Sequence, residues 1–285
     1  MRMKINGWCR IRFLIVALIG LIPVIASAGT LAQFRTVVGE IDVELFDQDK
    51  PVTVGNFIRY INSGSFTNFQ LIHRWETNFV IQGGGFFVND RGTTNQKIFA
   101  IPNFGTIANE FSVGPRYSNL YGTIAMARSA ETNSATSQWF INLGDNSALD
   151  KDKGGFTVFG KVVDGTNTLN KFLLPMTNGV DWVDLGYAPF RQLPFVGTNT
   201  SQATYNTLIY VDITLLKVLV QATPEGGRDI SWNSVSNQLN RVEYTTSFPP
   251  VWQTLVSTNG DGTRFHAVDS NPANDKAFYR VRVDY

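Results

Sequence analysis

Hydrophobic and polar positions alternate most cleanly near the start of the chain. Over Gly39–Phe46, Ile41, Val43 and Leu45 fall on one face and Glu40, Asp42 and Glu44 on the other. That period of two predicts a half-buried strand within opening β-structure over Thr30–Phe46. After a turn at Asp47–Lys50 the period changes. Val54, Phe57, Ile58 and Ile61 recur near helical spacing. Pro51 or Thr53 is suited to start that helix, and Gly64 to end it. Phe69–Phe86, FQLIHRWETNFVIQGGGF, then reads as two strands around a WETN turn. Arg74 precedes that turn and Gln82 follows it, so their spacing alone leaves them apart. A hairpin brings a guanidinium and an amide over a pocket walled by Phe79. An ordinary edge hairpin with a solvated arginine fits the same pattern.

Residues 86–118 show no period and predict mostly irregular structure. Strands are expected at Gly122–Arg128, Ser137–Asn142 and Thr157–Val163, with a short helix over Thr166–Leu174. Trp182–Thr200 reads as a loop, and Tyr210–Val220 as a long apolar closing strand. About eight strands and two helices predict an all-β dominated fold. An eight-stranded barrel with helix-capped ends suits it, because closure removes exposed strand edges. Gln221–Arg228, with Pro and Gly punctuation, reads as a linker. Residues 229–285 carry short alternating strands and predict a small β-sandwich-like module of modest stability. The expected division is a domain over 30–220, a linker over 221–228 and a module over 229–285.

Composition narrows the chemistry. Only 16% of the 285 residues are charged, and the formal net charge of +1 implies no nucleic-acid partner. Arg2, Lys4, Arg10 and Arg12 precede a short apolar run ending at Ala26-Ser27-Ala28, the pattern of a cleaved signal peptide over residues 1–28. Its loss turns the formal charge from +1 to −3. It leaves no membrane span and predicts a periplasmic or secreted protein. Cys9, the single cysteine, lies inside that segment, so the mature chain offers no disulfide or thiolate. His73 and His266 are too far apart in sequence to suggest a zinc site, and no metal or cofactor is expected. His73 sits beside Arg74, which disfavours imidazolium and makes it a poor general base. Gly83-Gly84-Gly85 lacks the following helix and Lys-Ser/Thr pair of a phosphate loop; close backbone approach explains it better. Glu110 and Glu131 form no glycosidase pair. Arg74, Gln82, Gln138 and several aromatics remain, a set suited to recognising a peptide.

Three ordered stretches carry a family resemblance. Ile72-His73-Arg74 followed by Phe79-Val80-Ile81-Gln82-Gly83-Gly84 resembles the cyclophilin-type peptidyl-prolyl isomerase pattern of Phe-His-Arg, a short turn and Phe-Met-x-Gln-Gly-Gly. Thr123–Ala130 with Ser134–Asn142 is similar to the bacterial exported branch, and Phe156–Val162 to the strand after the family's pocket loop. With Glu44-Leu45-Phe46 and the helix start at Pro51, the resemblance covers roughly residues 35–220. It implies an eight-stranded antiparallel barrel capped by two helices, with a substrate groove on its outer face. It implies a catalytic Arg74, a carbonyl-orienting Gln82, and Phe79 and Val80 as pocket wall. Ala127 and Arg128 match the peptide-binding strand edge, Gln138 and Phe140 the next groove pair. Leu149 matches the pocket leucine and Phe156 the group closing the pocket. Val80 replaces the usual methionine, and Ala148 stands where many members carry an aromatic residue, which should weaken cyclosporin binding. The implied partners are proline-containing peptides and partly folded exported proteins, met by a monomer. A non-catalytic proline-peptide-binding or chaperone module is the competing function. Attachment of residues 229–285 to an envelope component is a further expectation.

Overall fold

The computed structural model describes residues 30–284 other than 68, 177, 217, 235–238, 248, 262 and 271–276. The expected leader over residues 1–28 lies outside the described residues. The chain opens with β1 (Leu31–Thr36) and β2 (Gly39–Leu45), then helix α1 (Pro51–Asn62), β3 (Arg74–Glu76) and β4 (Val80–Gly83). A hairpin of β5 (Phe86–Asn89) and β6 (Lys97–Ala100) is followed by β7 (Thr123–Met126), β8 (Trp139–Asn142), β9 (Val158–Asp164) and helix α2 (Thr166–Asn170). A second hairpin, β10 (Val180–Val183) and β11 (Leu193–Val196), leads to β12 (Val211–Leu216).

Eight of these strands form one antiparallel sheet in the order β12–β1–β2–β9–β7–β8–β4–β3. The sheet curls until its ends meet. Leu71, just before β3, bridges Tyr210, just before β12. Ile72 N donates to Ile209 O at 3.1 Å, and Val211 N to Gln70 O at 2.8 Å. Alternation sends Phe34, Ile41, Val43, Trp75, Ile81, Ile124, Trp139 and Ile213 into one core. The edge of Phe34 meets Trp139 at 5.0 Å between ring centres.

Helix α1 covers this core with Val54, Phe57 and Ile61, three of the four positions its period predicted; the fourth, Ile58, is only partly buried, and Tyr60 is buried in addition. Lys50 gives it no side-chain cap. The Glu110 carboxylate accepts instead from Val52 N at 3.1 Å and Thr53 N at 2.7 Å. It meets both the orphan N–H groups and the positive end of the helix. Lys50 Nζ, itself buried, donates back to the carbonyls of Glu110, Val113 and Pro115.

Residues 86–118 are mostly irregular, as expected, apart from β5 and β6, which pair from Phe86 with Ala100 to Asn89 with Lys97. Three expectations are corrected. Trp182–Thr200 is not one loop: β10 and β11 pair, and Phe190, Leu193 and Phe195 join Leu71, Val88 and Leu208 in a second apolar cluster. The apolar run over 210–220 is not one strand. After β12 ends at Leu216, β13 (Val218–Ala222) pairs with β14 (Arg228–Asn233). The expected linker at 221–228 is therefore a hairpin, closed by Thr223 N on Gly227 O and Gly226 N on Thr223 O, both at 3.0 Å. Gly226, at φ +87°, supplies the left-handed residue that the turn needs.

The remaining strands are β15 (Leu239–Thr245), β16 (Gln253–Asn259), β17 (Arg264–Asp269) and β18 (Phe278–Asp284). They make two three-stranded sheets, β13–β14–β17 and β16–β15–β18. Ile230, Trp232 and Ala267 from one sheet share a core with Val242 and Val281 from the other, a small sandwich-like packing. Among the described residues no helix is long and apolar enough to cross a membrane.

Candidate functional site

Strand β3 is three residues long, and alternation decides what it presents. Trp75 points inward, fully buried, its Nε1 donating to Phe172 O at 2.7 Å. Arg74 and Glu76 therefore share the outer face. The turn into β4 passes through Asn78 at φ +57°, and Phe79 N closes on Glu76 O at 3.0 Å. This sets the register: Arg74 lies opposite Gln82, Trp75 opposite Ile81 and Glu76 opposite Val80. The pairing continues across the sheet, Gln82 with Phe140, Phe140 with Ala125, and Ala125 with Val158. One row of outward positions thus runs Arg74, Gln82, Phe140, Ala125, Val158.

An apolar cluster separate from the barrel core grows on this row. Val80, Ala125, Phe140 and Val158 are buried at its base, and Phe46, Phe79, Tyr117, Ala127, Leu149 and Phe156 pack partly buried around them. At one end stands Arg74. Its Nη1 donates to Gln82 Oε1 at 3.3 Å, its Nη2 pairs with the Glu76 carboxylate, and its guanidinium carbon lies 5.6 Å from the Phe79 ring centre. About a third of the side chain, 35%, stays exposed. Gln82 Nε2 donates onward to Gln138 Oε1 at 2.8 Å.

The three glycines after Gln82 allow close backbone approach. A Cβ on Gly83 would lie 2.4 Å from the Trp139 ring, and one on Gly84 2.4 Å from Ser137 O. A Cβ on Gly85 would crowd Gln138 and His73. His73 lies fully buried beneath the site, edge-on to Phe86 with 5.0 Å between ring centres. Burial first, then the Arg74 charge, push its pKa down to about 3; Gln138 and the Leu71 backbone oppose weakly. It is neutral at ordinary pH.

Arg128 behaves differently from its expected place at the peptide edge. Its side chain is 2% exposed; the guanidinium donates to the carbonyls of Ser129, Asp152, Lys153 and Gly155 and lies 4.2 Å over Phe156. It braces the loop rather than facing the groove.

Four residues escaped the sequence reading. Glu76 was hidden because WETN reads as a turn, although Glu76 is still on β3. Asn119, Asn142 and Asn146 form a polar network behind Leu149. Asn146 Nδ2 donates to Phe79 O at 2.8 Å and Asn142 Oδ1 at 2.7 Å, and Asn119 Nδ2 to Asp150 Oδ1 at 2.8 Å. Asparagines spread over three loops and strand ends carry no periodic signal. The Arg74 and Glu76 spacing of two was the one available hint.

The family model described as cyclophilin type peptidyl-prolyl cis-trans isomerase/CLD matches residues 31–183. The chain belongs to the cyclophilin-type peptidyl-prolyl cis-trans isomerases. A peptidyl-prolyl cis-trans isomerase of Acinetobacter baylyi is 40% identical over 153 residues, covering 53% of this chain and 76% of that protein. Peptidyl-prolyl cis-trans isomerase A of Dickeya dadantii is 40% identical over 171 residues, covering 59% and 80%. A cyclophilin-type isomerase from Cryptosporidium parvum, solved in the presence of the dipeptide Ala-Pro, aligns over 65% of this chain and 98% of its own at 23% identity and TM-score 0.43. The cyclophilin match ends at Val183, so β12, which completes the curled sheet, and the C-terminal sheets lie beyond it. The chain is an enzyme of this isomerase class.

Proposed function

We propose that this cyclophilin accelerates X–Pro rotation in exported proteins, with Arg74 as the catalytic donor. The carrying observation is the row that sets Arg74 and Gln82 at the edge of the cluster of Phe79, Val80, Phe140, Leu149 and Phe156. An X–Pro bond turns slowly because resonance gives it partial double-bond character, with a barrier of about 18–20 kcal/mol. No bond is made or broken, so the residues need only stabilise the twisted state. The apolar cluster holds the proline ring. As the bond twists, the imide nitrogen regains its lone pair and accepts a hydrogen bond from Arg74. That bond is stronger in the twisted state than in either planar one, as acceleration requires. Gln82 steadies the neighbouring carbonyl through the Nε2 hydrogen not committed to Gln138. The apolar surroundings strengthen the donor by lowering the local dielectric.

The test is Arg74→Ala. Losing a charged donor should cost roughly 2–4 kcal/mol, about 30- to 1000-fold in kcat/KM for a prolyl peptide. The side chain is a third exposed, so the circular dichroism spectrum should not change. An unaltered kcat/KM overturns the assignment and favours a non-catalytic peptide-binding module.

Export is inferred from the basic and apolar segment ending at Ala28. Amino-terminal sequencing of protein recovered outside the cytoplasm checks it; a chain still beginning at Met1 would count against cleavage.

A further inference from the structure

Glu76 has no part in the mechanism above, yet it stands on the same face of β3 as Arg74, with buried Trp75 between them. Its backbone lies opposite Val80, a base residue of the apolar cluster. Its carboxylate pairs with Arg74 Nη2, and 41% of the side chain is exposed. The catalytic face thus carries a negative charge beside its positive one, at the rim that a peptide must cross to seat its proline.

We propose that Glu76 sets a charge preference for residues flanking the target proline, favouring Lys or Arg and disfavouring Asp or Glu. The proposal rests on the assignment of Arg74 as donor. A carboxylate has two oxygens with about four lone-pair sites, so a basic side chain of the peptide can bind it while Arg74 stays in place. An acidic side chain meets repulsion from Glu76. It can gain only by taking the Arg74 guanidinium away from Glu76, and that also draws it from the imide. The exchange is feasible because an ion pair in water is weakly held. Without Glu76, an arginine at the edge of an apolar cluster would draw acidic segments and be occupied by them.

The experiment uses the full protein, Glu76→Gln and Glu76→Lys. Prolyl peptides differ only in Lys, Ala or Glu at each position within two residues of the proline. At low salt the parent should prefer Lys over Glu by about two- to fivefold in kcat/KM at one or more positions. Glu76→Gln should bring that ratio close to one, and Glu76→Lys should invert it. Raising salt from about 0.01 M to 1 M shortens the Debye length from roughly 30 Å to 3 Å and should erase the parent's preference. Where turnover is too slow to read, peptide affinity by fluorescence titration gives the same ratio. Equal Lys-to-Glu ratios at every position in the parent and in Glu76→Gln overturn the proposal. Full activity of Arg74→Ala would instead remove the donor assignment, whatever the ratios show.

Discussion

Gln82 Nε2 donates to Gln138 Oε1 at 2.8 Å, which obliges Gln82 Oε1 to face Arg74 Nη1, 3.3 Å away. The two amides therefore orient each other, and Gln138 decides which way Gln82 is turned. Gln138→Ala should lower kcat/KM by about 2- to 12-fold, the value of one net hydrogen bond of roughly 0.5–1.5 kcal/mol. Gln138→Glu keeps an acceptor and should recover most of that loss. Steady-state kinetics on one prolyl peptide decides the point; equal rates for parent and Gln138→Ala would mean that Gln82 is oriented by something else.

Gly84 is the glycine of the run with least room to change. It sits at φ +79°, and a Cβ would stand 2.4 Å from the Ser137 carbonyl oxygen, a backbone atom. Gly84→Ala should destabilise the fold by more than about 2 kcal/mol, combining left-handed strain with displaced backbone. Urea unfolding measures this, and a midpoint within error of the parent would refute it.

His73 makes the fold sensitive to acid. Its folded pKa, about 3, lies below the ordinary value of 6.5. Between those values the unfolded chain binds a proton that the folded chain refuses. Its contribution is therefore full above pH 6.5, falls as pH drops toward 3, and levels off below that. Each unit corresponds to about 1.4 kcal/mol, so the total reaches several kcal/mol. In His73→Gln this part of the slope should vanish. The difference in unfolding free energy between parent and variant should shift steadily from pH 6.5 to 3.5; a constant difference would contradict a neutral buried imidazole.

Arg128 ties down the loop that carries the pocket wall. Arg128→Ala removes four carbonyl contacts and the cover over Phe156. KM should rise about three- to tenfold with a smaller change in kcat, since each lost hydrogen bond to a charged group is worth roughly 1.5 kcal/mol or more and part of it is recovered by water. Trypsin should cut faster at Lys151 or Lys153. Parent-like KM and cleavage rates would show that the loop holds itself.

Much of the barrel was legible locally. The alternation over Gly39–Phe46 is β2 as far as Leu45; of the recurring Val54, Phe57, Ile58 and Ile61, all but Ile58 lie on the buried face of α1, which also holds Thr53 and Tyr60. Phe79, Val80, Ala127, Phe140, Leu149 and Phe156, each matched by the resemblance to a different part of the groove, lie in one apolar cluster; their role in binding stays a proposal. The hairpins over 86–100 and 180–196 were missed because their apolar residues divide between two clusters. Phe87, Val180, Trp182 and Val196 pack with the barrel core, while Val88, Leu193 and Phe195 pack with Leu71, Phe190 and Leu208, a division with no short-range period. The change of sheet between β12 and β13 was missed for a related reason: both strands are apolar, so composition does not change where the chain passes from one sheet to the next.

The amino-acid sequence by itself determined the features that depend on neighbours in the chain: strand faces, the start of α1, and glycines where no side chain fits. Only the tertiary structure decided which outward residues meet. Arg74 could have been a solvated edge charge until the register of β3 on β4 set it opposite Gln82. Gln138 became its second neighbour, and Glu76 its counter-charge, in the same step. Register is chosen by burial of Trp75, Ile81 and Ile141 against the whole core, because a slip of one residue would turn each of them outward. That choice belongs to the assembled sheet, and no single segment contains it.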